Sequence, residues 1–220
     1  MHNHTHPSTS PAQTEGRLIP WVSFYDALVN IMTLGQIHRL RNMTIEQTLL
    51  KPGESILDVG CGTGEVTIPG KKRVGQTGMA AGIDPDPQMI AIAQRKATRA
   101  ALKIDFRIGV IESLPYPDAA FDAVTSSLMM HHLPHDLQAK GLAEIYRVLK
   151  PGGRLLIADM MRSGGSMRKQ LFASIAFHPG QKFGIEDLPE MLKISGFQNV
   201  HQLDEHFLVI GFVRATKPGV

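Results

Sequence analysis

The sequence predicts an α/β fold: a doubly wound seven-stranded sheet, mostly parallel, with helices on both faces and an antiparallel C-terminal hairpin strand. Three observations predict it. Between residues 51 and 160, short apolar runs alternate with stretches of helical spacing, as parallel βαβ units require. The first run, SILDVG, leads into a glycine turn, GCGTG, that opens the next helix. After Gly196 the rhythm changes: QNVHQLD and FLVIGFVRA follow one another across a link too short to cross over the sheet, so these two strands are expected to be antiparallel.

Each element has its own signal. The start, MHNHTHPSTSPAQ, has neither a charged n-region nor an apolar h-region, so residues 1–20 read as a flexible polar tail with His2, His4 and His6 spaced along it. From Trp21 to Leu50 apolar positions recur at helical spacing with Gly35 interrupting, which predicts two helices. MAAGID is the second strand. The helix after it, DPQMIAIAQRKATRA, has Asp86 as its expected N-cap and Pro87 at its first position. KIDFRIG alternates apolar residues at 104, 106 and 108 as a third strand, and FDAVTSS is a short buried fourth. DLQAKGLAEIYRVLKPGG reads as a helix with an acid at its start, Lys150 at its end and a Pro-Gly-Gly stop; RLLIADM is strand five. IEDLPEMLKISGF is one more helix, ending at Gly196. One irregularity stands out: Pro69 and Gly70 fall in the helix after the glycine turn, where an interior proline would shorten or kink it at a cost of about 3 kcal/mol.

Composition narrows the class of function. At 220 residues and 43% hydrophobic, the chain can bury one good core but not two large ones. Its formal charge of +3 is spread along the chain, so nucleic acid is not an expected partner. A single cysteine, Cys61, excludes an internal disulfide and a multi-thiolate metal site. No run of about 18 uncharged apolar residues appears, which speaks against integral membrane association.

The glycine turn carries the chemistry. It lies beyond the carboxyl end of strand one, where open α/β sheets bind ligands. A dinucleotide fingerprint is G-x-G-x-x-G, whereas here the third glycine comes one residue early and Asp58 precedes the turn. A pyrophosphate gains nothing from that carboxylate, but a ligand carrying an ammonium group does. The turn therefore suggests a nucleoside bearing an amino acid. Asp84 ends the second strand, twenty residues after Gly64, where a carboxylate can accept from both hydroxyls of a ribose. Its alternative role is to cap the following helix. Cys61 needs only to be small here, since no basic residue is set beside it by sequence to activate a thiolate.

ILDVGCGTGEVT, GIDPDPQMIAIAQRKA, IESLPYPDAAFDAVTSSLMMHHLP and EIYRVLKPGGRLLIADM together resemble class I S-adenosylmethionine-dependent methyltransferases, Rossmann-like enzymes. Within them the chain is similar to the ubiquinone and menaquinone biosynthesis C-methyltransferase group, and FYDALVNIMTLGQIHRLRNMTIEQTLLKPGE is similar to that group's leading helices. The resemblance implies a methyltransferase domain over 21–216: a helical cap at 21–50, a cofactor-binding core at 51–160, and an acceptor-side segment with the hairpin at 161–216. It implies S-adenosyl-L-methionine as cofactor, a small-molecule methyl acceptor, and a cytoplasmic protein that is compatible with a homodimer.

By the same resemblance, Asp58, Gly60, Cys61, Gly62 and Gly64 hold the methionine part, and Asp84 followed by Pro85 holds the ribose. Met89 touches the adenine, Val110 and Ile111 lie along it, and Ser127 and Leu128 pass beneath the sulfonium. Val110 departs from the pattern, since many relatives have an acid there. His132 matches a catalytic histidine of the related phosphoethanolamine methyltransferases, paired with an N-terminal tyrosine for which Tyr25 is the counterpart, closing over the cofactor and so binding it; a histidine bonded to backbone is the competing reading. His178 is a further acceptor-side candidate, and Met129 and Met130 offer an adaptable lining. His131, His135 and Asp136 lack fixed spacing, so no metal is expected. Methyl transfer is an in-line displacement, to which orientation alone can give about 7 to 11 kcal/mol. A nicotinamide-dependent oxidoreductase, or a cofactor-binding protein without catalysis, remains the alternative.

Overall fold

The computed structural model describes residues 30–31, 35–162 and 183–219. Within them, apolar and β-branched runs between turn residues become seven strands: β1 (Ser55–Val59), β2 (Met79–Asp84), β3 (Asp105–Ile108), β4 (Phe121–Ser127), β5 (Leu149–Met160), β6 (Gln198–Gln202) and β7 (Ile210–Thr216). They form one sheet in the order β3-β2-β1-β4-β5-β7-β6. The first five are parallel. β7 enters antiparallel between β5 and β6, in register with β5 from Ile210 opposite Met160 to Thr216 opposite Arg154. β1 is buried at all five positions, as a strand covered on both faces must be.

The two faces are covered by different helices: α1 (Ile37–Gln47), α2 (Thr67–Val74), α3 (Pro87–Arg99), α4 (His135–Val148) and α5 (Leu188–Ile194). Ile56 and Ala80 face α1 and α2 in a cluster with Ile45, Val66 and Val74. Their chain neighbours Leu57 and Ala81 point the other way, packing with Leu142, Ile145 and Val148 of α4 and with Leu188 and Leu192 of α5. Phe106 joins Ile90, Ala93 and Ala97 of α3. Asp86 caps α3, accepting from Gln88 N at 2.8 Å, with Pro87 at the first helical position as its sequence requires.

Two local expectations are corrected. α4 ends at Val148 rather than running to the glycines, and Lys150 lies in β5, where its ammonium bonds Asp122 Oδ2 at 2.7 Å; Arg147 is the base of the last helical turn. Pro69 does not break its helix. α2 begins at Thr67, so Pro69 is its third residue, within the first turn, where no N–H has an intrahelical partner to lose. Gly70 then lets α2 lie close to β1: a Cβ there would sit 3.3 Å from Ile56 Cδ1. Of the expected N-terminal helices, α1 is seen from Ile37, and Gly35 takes φ 76° and donates to Asn30 O at 2.7 Å.

Candidate functional site

β1, β2 and β4 all end on one side of the sheet, and the glycine turn rises from the first of them. Gly60, Gly62 and Gly64 take φ values of 73°, 51° and 81°, a region that a side chain makes costly. Three bonds hold the turn against the end of β2. Gly60 N and Cys61 N donate to Ile83 O at 2.9 and 3.0 Å, and Gly62 N donates to Asp84 Oδ2 at 2.9 Å. The other oxygen of Asp84 accepts from Asp86 N at 2.9 Å. Asp84 thus ties the turn to the start of α3 while Asp86 does the capping.

Asp58, one residue before the end of β1, is 1% exposed and accepts from Thr67 Oγ1 at 2.6 Å. Burial pushes its carboxyl up to about 7, against the hydroxyl bond that lowers it. Burial likewise raises Asp84 to about 6. The Cys61 thiol is raised too, by burial first and then by the two carboxyls, so it stays protonated and offers no nucleophile.

An open cleft of about 520 Å³, solvent space included, lies over the turn. Asp58, Gly60, Cys61, Gly62, Ser127 and Leu128 line it, all six singled out from sequence. Leu128 holds φ 56°, unusual for a bulky side chain, with its N–H on Ala158 O at 2.8 Å. Met129 packs over Gly60, where a Cβ would meet its Cγ at 2.5 Å, while a Cβ on Gly62 would meet nothing within 4 Å among the described residues. Asp84 reaches the cleft's edge through Gly62. Met89 and Ile111 are buried and do not line it; Ile111 fills the groove left by Gly141 of α4. Tyr25 and His178 lie outside the described residues.

Sequence reasoning missed two groups. Arg41 and Glu65 also line the cleft and form an ion pair, and Glu65 is shared with Lys96 of α3. The signal was present: Arg41 sits four residues from both Ile37 and Ile45, on the buried stripe of α1 rather than its wet face. The second group is His131, whose Nδ1 lies 2.5 Å from the fully buried Asp159 Oδ1 of β5. Burial alone would lower His131, but the facing carboxylate outweighs it and raises its pKa. His132 lies against it, with ring centroids 4.1 Å apart and the ring planes tilted by 40°. Only the pairing of β4 with β5 brings Asp159 to this loop, which no local spacing announces.

A methyltransferase-domain model matches residues 56–153, the span that holds the whole turn; an anamorsin N-terminal model matches 106–210. The demethylmenaquinone methyltransferase of Lactiplantibacillus plantarum is 33% identical over 80% of this chain and 84% of its own length. The chain belongs to the S-adenosylmethionine-dependent methyltransferases. The demethylmenaquinone methyltransferase of Symbiobacterium thermophilum is 37% identical over 61% of the chain, and there the chain spans only 54% of the relative. A solved methyltransferase from Aquifex aeolicus shares the fold with a TM-score of 0.67 at 24% identity, covering 80% of this chain and 88% of its own.

The family's cofactor is S-adenosyl-L-methionine, and the residues of this methyltransferase fit it. Gly62 leaves open space where a side chain would intrude, and Asp58 offers a buried carboxyl for an ammonium group. Among the described residues, the buried Arg41 Nε has no hydrogen-bond partner. Among the described residues, no helix is long and apolar enough to cross a membrane.

Proposed function

We propose that this chain methylates a small, partly apolar aromatic acceptor of the quinone class, working as one methyltransferase domain over residues 21–216. The latch of Asp84 onto Gly62 carries the reading, because it sets three left-handed glycines beside the buried Asp58 before any ligand arrives. The activity of the two demethylmenaquinone methyltransferases supports the acceptor class, and Met129 over the glycine turn suits an apolar molecule, whereas Met130 belongs to the core.

When bound, the cofactor supplies an activated methyl group on a sulfonium; the chain's own residues bind, orient and manage a proton. Asp58 receives the ammonium group. Asp84 turns its remaining lone pairs to the ribose hydroxyls. Pro85, Met89, Val110 and Ile111 would hold the adenine, and Ser127 and Leu128 would lie beneath the reacting centre. His132 takes the acceptor's proton where one must leave, with Tyr25 as its partner. His131, clamped to Asp159, holds that loop in place.

The test is calorimetric titration with S-adenosylhomocysteine, with NAD and Asp84→Ala run beside it. Binding of the homocysteine product at micromolar Kd, lost in the variant, is the expected result; binding of NAD in its place overturns the reading. Methyl transfer to a short-chain naphthoquinol, measured against phosphoethanolamine, then decides the acceptor class.

A further inference from the structure

The cleft contains a cation that the function above does not use. Arg41 reaches it from α1, its side chain only 11% exposed. Its Nη1 engages Glu65, whose charge is also claimed by Lys96. Among the described residues its buried Nε has no partner, and a buried guanidinium N–H left unmade is costly. Nε and Nη2 together form the side-on fork of a guanidinium, the edge that fits a carboxylate with two parallel bonds.

Asp58 lines the same cleft with the opposite sign. A buried carboxyl and a buried guanidinium in one cleft, with Gly62 leaving open space, make a receptor for a zwitterion. We infer that Arg41 binds the α-carboxylate of the cofactor's amino-acid part, so that Arg41 and Asp58 together select ligands carrying a complete amino acid. The inference rests on the methyltransferase reading and adds a residue of the leading helix to the cofactor site. It explains why α1 spends an arginine on its buried stripe. It also makes α1 part of ligand recognition, since Arg41 comes from outside the sheet and the glycine turn.

The experiment compares three ligands by calorimetry on the full chain: S-adenosylhomocysteine, the same thioether lacking only its carboxylate, and 5′-methylthioadenosine, which lacks the amino acid altogether. The intact chain should prefer S-adenosylhomocysteine to the decarboxylated thioether by at least about tenfold, the lower end for hydrogen bonds to a charged group. Arg41→Gln should bind those two ligands equally, while its affinity for 5′-methylthioadenosine stays within about twofold of the intact chain, since additive effects are expected where no contact is shared. Arg41→Lys, which keeps the charge and loses the fork, should discriminate less than the intact chain and more than Arg41→Gln; it also carries the comparison if Arg41→Gln does not fold. Three results overturn the inference: an intact chain indifferent to the carboxylate, a variant that discriminates as well as the intact chain, or a loss shared equally with 5′-methylthioadenosine. An intact chain that binds none of the three ligands fails at the methyltransferase reading itself, a distinguishable outcome.

Discussion

Asp58 and Asp84 give up their protons late, and the sign of that shift fixes how the protein responds to pH. Their ordinary value is 3.8, and burial raises them to about 7 and about 6. Between those limits the folded chain holds more protons than the unfolded one, so their contribution to stability falls as pH rises from about 4 to about 7. Ligand binding runs the other way. An ammonium group prefers the ionised Asp58, so affinity for S-adenosylhomocysteine should climb with pH toward 7 and level off above it, approaching about tenfold per unit on the acid side. Titrations from pH 5.5 to 8.5 check this, and Asp58→Asn should flatten the profile. In stability, His131 has the same sense as the two acids. Its raised pKa contributes stability that is complete below its ordinary value and is lost as pH rises through the folded one. Asp159→Ala leaves that imidazole buried without its carboxylate and should cost about 3 kcal/mol in denaturant unfolding. These residues also mark what a linear reading can reach. Asp58 and Asp84 were legible because each stands at the end of an apolar run, whereas the tie of His131 to Asp159 spans 28 positions and exists only once β4 and β5 pair.

Among the elements, strands were read more surely than helix ends. MAAGID and FDAVTSS are β2 and β4 to the residue, because a buried parallel strand leaves an uninterrupted apolar run bounded by turn residues. The end of α4 was misplaced for a physical reason: Pro151, Gly152 and Gly153 usually stop a helix, but here they lie within a strand. Gly152 takes φ 75° and the register with β4 slips between Phe121 and Ala123. The helix had already ended two residues before the proline, where Leu149 turns to extended backbone. Pro69 shows the same dependence on exact position. Because it falls in the first turn of α2, Pro69→Ala should change stability by less than about 1 kcal/mol instead of the 3 or so of an interior site. Gly62→Ala is the contrasting case. Nothing would touch the added methyl, so its cost of about 1 to 2 kcal/mol comes from the left-handed backbone alone and should appear in thermal unfolding and in lost affinity for S-adenosylhomocysteine.

Across the whole molecule, the sheet joins two kinds of construction. Five parallel strands place β1, β2 and β4 so that their ends converge on the cleft, and an antiparallel pair then covers the outer side of β5. Both were legible, the first from the alternation of strand and helix and the second from the short link near residue 205. The order of the last three strands was not, because link length fixes direction and not position. That order matters during synthesis. β7 is made after β6 yet lies inside it, next to β5, with Phe212 and Val213 fully buried. Until residues 210–216 leave the ribosome, β5 presents seven unpaired positions beside Leu155 and Ile157, an open sticky edge on an otherwise finished half-sheet. A nascent chain of this protein therefore carries that open edge for the whole interval in which the cofactor loop has been made and β7 has not.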